Sequence, residues 1–429
     1  MKRSLLKQPY VPIGIVYYYV SKCSAKKDFL LERRLILVIH DKITEMIRGY
    51  NDELVQIRRK LHSEPELSWE EEQTTEFICK YLERLGVSYR RTEPTGVIAT
   101  IKGGQLGKTI ALRADMDALS VDQLNQNIEY VSKKPGKMHA CGHDAHTSML
   151  LIAAKVLNEI RTELDGDVRL IFQPAEEVGE GAKEMVKQGA VEGVDQVFGI
   201  HIWSQMPTHK VSCVSGASFA SADVFKVTFK GRGGHGAIPQ DCIDTAIIAS
   251  NFVMNVQSIV SRTIDPHHPA VLTIGRMDVG TRFNIIAENA VIEGTVRCFD
   301  AETRDHIEKQ LHHYAENIAS IYGATAIVEY RRGTLPVVND ETSALLVQRV
   351  VAEAFGEDQV YNEKPTMVAE DFSFYTEKIP GSFALVGSGN PTKDTEWAHH
   401  HGMFNIDEEA LTTGAELYAQ MAWAYLNRV

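Results

Sequence analysis

The feature that most constrains the fold is a change of rhythm near residue 220. Before it, short β-prone runs at 97–101, 109–113, 168–172 and 196–200 alternate with helical stretches at 43–61, 74–85, 182–188 and one opening at Asp144. Strands alternating with helices imply an α/β fold with a mostly parallel sheet and helices on both faces. From 222 to 330 the order becomes strand, helix, strand, strand, helix, strand, a split βαβ (ferredoxin-like) unit. At about 110 residues it has the size of an inserted domain. Beyond Pro336 the first style resumes, through a helix at 341–355 and a strand at 382–387 to a last helix from Asp407. The expected architecture is a discontinuous domain, 46–219 with 334–429, interrupted by a second at 220–333. A chain of 429 residues is too long for one ordinary core, in keeping with two domains.

The first 45 residues fit neither pattern. They begin basic and carry an apolar, tyrosine-rich run at 9–20, yet Pro9 and Pro12 interrupt it and no small-x-small cleavage pattern follows. The run is also too short to span a bilayer. The segment reads as a poorly ordered extension. Cys23, Cys79, Cys141, Cys213, Cys242 and Cys298 are scattered without paired spacing. That points to a reducing compartment, the cytoplasm, rather than to a disulfide framework. The formal net charge of −12 argues against nucleic acid or an anionic membrane as partner.

Four clusters carry chemistry. Met138-His-Ala-Cys-Gly-His-Asp-Ala-His146 packs a thiol and three imidazoles into the mouth of an apolar helix. Thiolate and neutral imidazole are ligands of zinc-like ions, and a helix N-terminus would lower the pKa of Cys141. Cys141 and His143, one residue apart, can reach a common centre. His139 and His146 have a structural alternative, and Asp144 reads as a helix cap. Gln173-Pro-Ala-Glu-Glu177 follows a strand, and its adjacent carboxylates can divide the work of metal ligand and general base. His201 ends the run at 196–200. Ala398-His-His-His-Gly402 adds an imidazole in any register. Taken singly, each cluster has a plain structural explanation. Together they supply more ligands than one structural zinc needs, and they suit two ions about 3.5–4 Å apart. In an open α/β sheet they would meet in the crevice beyond the carboxyl ends of the strands.

The chain resembles the M20 family of metallopeptidases and amidohydrolases, and within it the amidohydrolase branch of N-acyl-amino-acid, hippurate and indole-acetyl-amino-acid hydrolases. Besides the Cys141 and Glu176–Glu177 segments, the matching stretches are Arg58-Arg-Lys-Leu-His-Ser-Glu-Pro-Glu-Leu67, Arg113-Ala-Asp-Met-Asp-Ala-Leu119, Gly233-Gly-His-Gly236, Phe283-Asn284, Gly294-Thr-Val-Arg297 and Glu370-Asp-Phe372. They run in family order from about residue 45 to the end. The resemblance implies two divalent metal ions held by Cys141, His143, Glu177, His201 and His400, with Cys141 bridging. It implies Glu176 as general base and then acid, and Asp117 behind the ligands, fixing the orientation of one of them. It makes 220–333 a lid that also joins subunits into a homodimer or homotetramer. From the lid, His235 would stabilise the oxyanion, and Asn284 and Arg297 would hold the carboxylate of a small N-acyl amino acid.

Two departures bear on these assignments. Gly402 stands where the branch has the proline of a His-x-Pro, so His399 and His401 compete with His400 as ligand. Asp115 stands where peptidase relatives carry a metal-binding histidine, which favours the amidohydrolase branch. Donor softness favours zinc, nickel or cobalt, and the resemblance adds manganese. The expected reaction is hydrolysis of the N-acyl amide bond. A dipeptidase or carboxypeptidase on the same site, or a silent metal-binding member of the fold, are the rivals. The absence of a Cys-x-x-Cys pair argues against redox chemistry.

Overall fold

The structure is a computed structural model that describes residues 39–427. It opens on a helical run over residues 39–49, continued after a turn at Tyr50 by the helix Asn51–Ser63. Ile39, Ile43, Ile47, Leu54, Ile57 and Leu61 recur at helical spacing and are all buried. Residues 39–42, expected to belong to a poorly ordered extension, are thus helical, and Ile39 joins the core with the helix expected from residue 43. The rest of that extension, with its apolar run at 9–20, lies outside the described residues.

The larger sheet has eight strands in the order Ser88–Arg91, Val97–Ile101, Gly166–Gln173, Lys108–Asp115, Gln196–Pro207, Gly381–Gly389, Val211–Ser212 and Val360–Tyr361. The central four are mutually parallel. Antiparallel pairings flank them on both sides. Side-chain alternation along each strand feeds two cores. Ile110, Leu112, Val168, Leu170, Phe198 and Ile200 face the helices His143–Glu159 and Glu409–Leu426. Ala111, Ile171, Val197, Phe383 and Leu385 face the opposite way, towards the helices Gly181–Lys187 and Ser373–Thr376. Each such Leu, Ile or Phe contributes about 1.5–3 kcal/mol through removal from water, so the apolar run of a parallel strand is what fixes it at the centre of the sheet.

A second sheet is fully antiparallel, in the order Ala270–Val279, Asn289–Cys298, Asp223–Lys230, Thr325–Arg332. With the helices Thr245–Thr263 and Ala301–Ile321 it gives the expected β-α-β-β-α-β order. Both helices begin on an aspartate that caps them: Asp244 accepts the Ala246 N–H and Asp300 the Thr303 N–H. Phe225, Val227, Phe229 and Ile292 pack against Phe252, Val256, Ile307 and Leu311 in a core of their own.

The two crossings between the sheets lie side by side. The Ala222 N–H donates to the Thr334 carbonyl at 3.2 Å, and the Gly333 N–H donates back to Ala222 at 3.0 Å. Next to them the fully buried Asp223 accepts from Arg304 Nε and the Tyr330 hydroxyl at 2.8 Å each, and from the Gly333 N–H at 3.1 Å. Arg304 is 3% exposed, so removing Asp223 strands a buried guanidinium. Asp223→Ala is expected to destabilise the protein by about 3–5 kcal/mol, read from the shift of its urea-unfolding midpoint.

Candidate metal centre

The site is assembled where the parallel strands end. Gly142 precedes the helix His143–Glu159 with φ 96°, a left-handed conformation that glycine adopts freely. A side chain at that position would also run into Ile202 on the neighbouring strand. Glycine therefore lets the turn press against the sheet, with Cys141 on one side and His143 on the other. Asp144, the next residue, is fully buried beneath Arg58 (3.0 Å) and His62 (2.8 Å), which hold the first helical turn from below.

Asp117 organises the ligands. Its Oδ1 accepts from His143 Nδ1 at 3.2 Å and from the Glu176 N–H at 3.1 Å. Its Oδ2 accepts from the Ser68 hydroxyl at 2.7 Å and from the Glu177 N–H at 3.0 Å. With Nδ1–H committed to Asp117, the lone pair of His143 is on Nε2, a buried atom that has no hydrogen-bond partner. It lies 3.8 Å from Glu177 Oε1, which is likewise buried and unpartnered, and 4.0 Å from Glu176. Glu177 Oε2 is 3.4 Å from His400 Nε2.

His201 does not end its strand: the strand runs from Gln196 to Pro207 with His201 in the middle. Its Nδ1–H donates to the Ile202 carbonyl at 2.6 Å, which leaves Nε2 bare, 3.5 Å from Cys141 Sγ. Ligand atoms of Cys141, His143 and His201 fall within 4.8 Å of one another, as do those of Cys141, Glu177 and His400. His146 is excluded as a ligand. Its Nδ1 bonds Asp115 at 2.6 Å and its Nε2 receives the Ile202 N–H at 2.8 Å, so both ring nitrogens are engaged. His139 is buried outside these groups, and its ring nitrogens have no partner.

The C-terminal histidines separate cleanly. His400 sits in the left-handed region at φ 65° with its N–H on the Ala140 carbonyl, and its ring reaches the cluster. Non-glycine residues held there are strained, and a site that aims a side chain is where such strain is kept. His401 stacks on Trp397 at 4.8 Å, and His399 turns inward against Trp203. Gly402 in place of proline also has a cause, since any Cβ there would strike the Asp122 carbonyl.

The electrostatics match a cation site. Burial and the surrounding carboxylates Glu177, Glu176 and Asp115 push the Cys141 thiol well above its ordinary range, against the lowering expected from the helix terminus. Burial disfavours charge on His143, yet Asp115, Asp117 and Glu177 raise it to about 10. Burial, with Asp117 and Asp115 nearby, raises Glu177 to about 7. Burial, then Glu370 and Glu177, raise Glu176 well above the carboxylate range. The pocket gathers more carboxylates than the guanidinium of Arg113 behind it can balance. Two orphaned buried donors, a thiol and two further imidazoles with free lone pairs fit divalent ions.

A cavity of about 810 Å³ opens from the cluster, with Cys141, Glu176, Glu177, His201 and His400 on one wall and Arg297 on the other. Arg297 donates to Thr295 Oγ1 at 2.8 Å, and among the described residues it forms no ion pair. His235 and Asn284 are not brought to this wall. His235 pairs with Ile285 on an exposed two-strand ribbon, and Asn284 lies in the turn just before that strand, its carbonyl accepting the Gly236 N–H at 3.0 Å. Sequence reasoning passed over the network behind the cluster, in which Arg113 bonds Asp115 (2.6 Å), Glu370 and Asp371 (3.0 Å each). The Arg-x-Asp spacing on one strand face was its visible signal.

The family model described as peptidase family M20/M25/M40 matches residues 111–424. The N-acetyl-L-cysteine deacetylase of Bacillus subtilis (strain 168) is 42% identical over 84% of this chain and 85% of its own length. The IAA-amino acid hydrolase ILR1-like 4 of Arabidopsis thaliana is 40% identical over 87% of this chain and 86% of its own. The crystal structure of the Bacillus subtilis YXEP protein, titled a dinuclear metal binding peptidase from M20 family, superposes with a TM-score of 0.79. Its identity is 35%, and the match covers 89% of this chain and all of that one.

Because one carboxylate orients His143 and both glutamates, Asp117→Ala is expected to weaken divalent-metal retention about 10–100-fold. Metal content after dialysis against a graded chelator series measures it.

Proposed function

The chain belongs to peptidase family M20/M25/M40, and from that membership and the geometry of the cluster we propose that it is a metal-dependent amidohydrolase of N-acyl amino acids, releasing a carboxylic acid and a free amino acid. The observation that carries this reading is the pair of buried, unpartnered ligand atoms, His143 Nε2 and Glu177 Oε1, beside the Cys141 thiol. Cys141, His143, Glu177, His201 and His400 would hold two divalent ions, zinc, manganese, nickel or cobalt. Bound there, the ions supply Lewis-acid activation of water and of the acyl carbonyl.

Glu176 would carry the proton. Its backbone is fixed by Asp117, and its side chain borders Glu177 and Glu370 on the cavity wall. Carboxylate neighbours and burial raise its proton affinity, as a base that must later return the proton to the leaving amine requires. Arg297, half-buried and without a carboxylate of its own, faces that wall across the cavity and would take the substrate carboxylate in a bidentate grip.

His235 and Asn284 complete the site from a second copy. Their ribbon carries Phe283, 98% exposed, and Ile285, and such apolar side chains in solvent mark a contact surface. Joined through the lid as a homodimer or homotetramer, each subunit would present His235 to its neighbour's oxyanion and Asn284 to its neighbour's substrate carboxylate. The partner is otherwise a small molecule. No helix among the described residues is long and apolar enough to cross a membrane, and the five described cysteines are free, which supports a cytoplasmic setting.

Metal-reconstituted protein is expected to release free amino acid from N-acetyl, N-benzoyl or longer N-acyl amino acids. Chelation and Glu176→Gln should each abolish release. Turnover of dipeptides alone would replace the reading with a peptidase. Phe283→Asp should convert the oligomer to monomer by light scattering and lower turnover at least about 100-fold, the scale of one oxyanion donor; a fully active monomer would refute the shared site.

A further inference from the structure

Of the three histidines in the loop 398–402, the proposed reaction uses only His400. His401 is turned to the surface, stacked on Trp397, with its Nδ1 accepting the Met403 N–H at 3.1 Å. His399 is turned the other way. Its ring lies 4.8 Å from Trp203 and 4.9 Å from Phe404, with His201 edge-on at 5.2 Å. Nε2 receives the Ser204 N–H at 3.4 Å, and Nδ1 faces Cys141 Sγ at 3.8 Å.

These two contacts fix the tautomer. A neutral imidazole carries one N–H. Nε2 is acting as an acceptor, so the hydrogen is on Nδ1, aimed at the sulfur. His201 shows the opposite polarity at the same sulfur, because its Nδ1–H is spent on the Ile202 carbonyl and a bare Nε2 faces Sγ. One imidazole beside Cys141 offers a lone pair, as a ligand does. The other offers a proton, as a ligand cannot.

We propose that His399 is a positioning residue that donates a hydrogen bond from Nδ1 to the Cys141 sulfur, orienting it toward the cluster and moderating its strength as a metal donor. The proposal rests on the reading of Cys141 as a ligand. A thiolate that accepts an N–H has its lone pairs lowered in energy, so it binds a cation less covalently and in a more fixed direction. Partners of this kind govern metal affinity as strongly as some ligands do. The ring is boxed by Trp203 and Phe404, and Ser204 sits on the same strand as His201. The donor and the ligand on either side of the sulfur are therefore held by one element.

The experiment is a Co²⁺ titration of the metal-free full chain, following the near-ultraviolet thiolate-to-cobalt charge-transfer band. His399→Phe keeps an aromatic ring in the box and removes the N–H. It is expected to move the band to lower energy and to change Co²⁺ affinity by about 10–100-fold. His399→Asn, whose amide N–H overlays Nδ1, should return the band toward the wild-type position. A band and affinity unmoved in His399→Phe overturn the proposal, as does a shift that Asn leaves uncorrected. A second measurement needs no variant to fold. In Zn²⁺-loaded wild-type protein labelled with ¹⁵N-histidine, two rings contact the Cys141 side chain: His201 should be metal-bound through Nε2, and His399 should be metal-free with its hydrogen on Nδ1, so a metal-bound His399 Nδ1 with hydrogen on Nε2 overturns the proposal. Absence of any charge-transfer band in the wild type refutes Cys141 as a ligand and this proposal with it. A normal band without N-acyl turnover refutes only the reaction.

Discussion

A single buried carboxylate holds the site in register. Asp117 receives hydrogen bonds from a helix-opening histidine, from two successive backbone amides of an acidic loop, and from Ser68. Burying a charged carboxylate is costly, and four donors from three separate stretches of chain offset that cost. In doing so they fix the distances between those stretches. The His143 ring, the proposed base Glu176 and the proposed ligand Glu177 are all referenced to the same two oxygen atoms. Local strength elsewhere, such as the Arg58–Asp144–His62 clamp under the helix turn, makes sense as support for that common reference.

The second organising fact is an imbalance of charge. On the wall that carries the cluster, Asp115, Asp117, Glu176, Glu177, Glu370 and Asp371 gather, and the guanidinium of Arg113 pairs with three of them, Asp115, Glu370 and Asp371. The same carboxylates raise the proton affinity of His143 against the effect of its burial. The opposite wall is different in kind. On the lid sheet, Arg297, Thr295, Val224 and Arg331 share the face turned from the lid's own core, and Arg297 and Arg331 both border the cavity. A substrate that bridges a cationic wall and a metal-loaded one has its two ends told apart by charge.

Much of this was legible in the sequence, for identifiable reasons. The strands at the centre of the sheet are long apolar runs, and the lid elements alternate with period two, so both announce themselves. The strands Ser88–Arg91, Val211–Ser212 and Val360–Tyr361 are too short to show a period, and they were passed over. Residues 39–42 look like the tail of an unstructured stretch because Ile39 is their one apolar residue. At the site, residue types named the chemistry, but tautomers did not follow from spacing. That His146 is fully engaged, that His201 lies within its strand and that His399 and His400 face different jobs all depend on which backbone amides pass nearby. The positions of His235 and Asn284, away from the cavity of their own chain, belong to a surface that one sequence cannot display.

The side-by-side crossings at Ala222 and Gly333 have a mechanical consequence. Two single strands joining two bodies would let one twist about the other in any direction. Here the strands are cross-linked by their own backbone hydrogen bonds, and they are pinned again where Phe219 pairs with Val337. A two-ply ribbon bends readily across its width and resists torsion along its length. A lid joined in this way would be restricted to something close to a single swing, with Asp223 and its hydrogen bonds at the root of the ribbon. Closure of this kind would carry Arg297 along one arc toward the same point every time, so that repeatable aim would come from the joint and not from a change within either sheet.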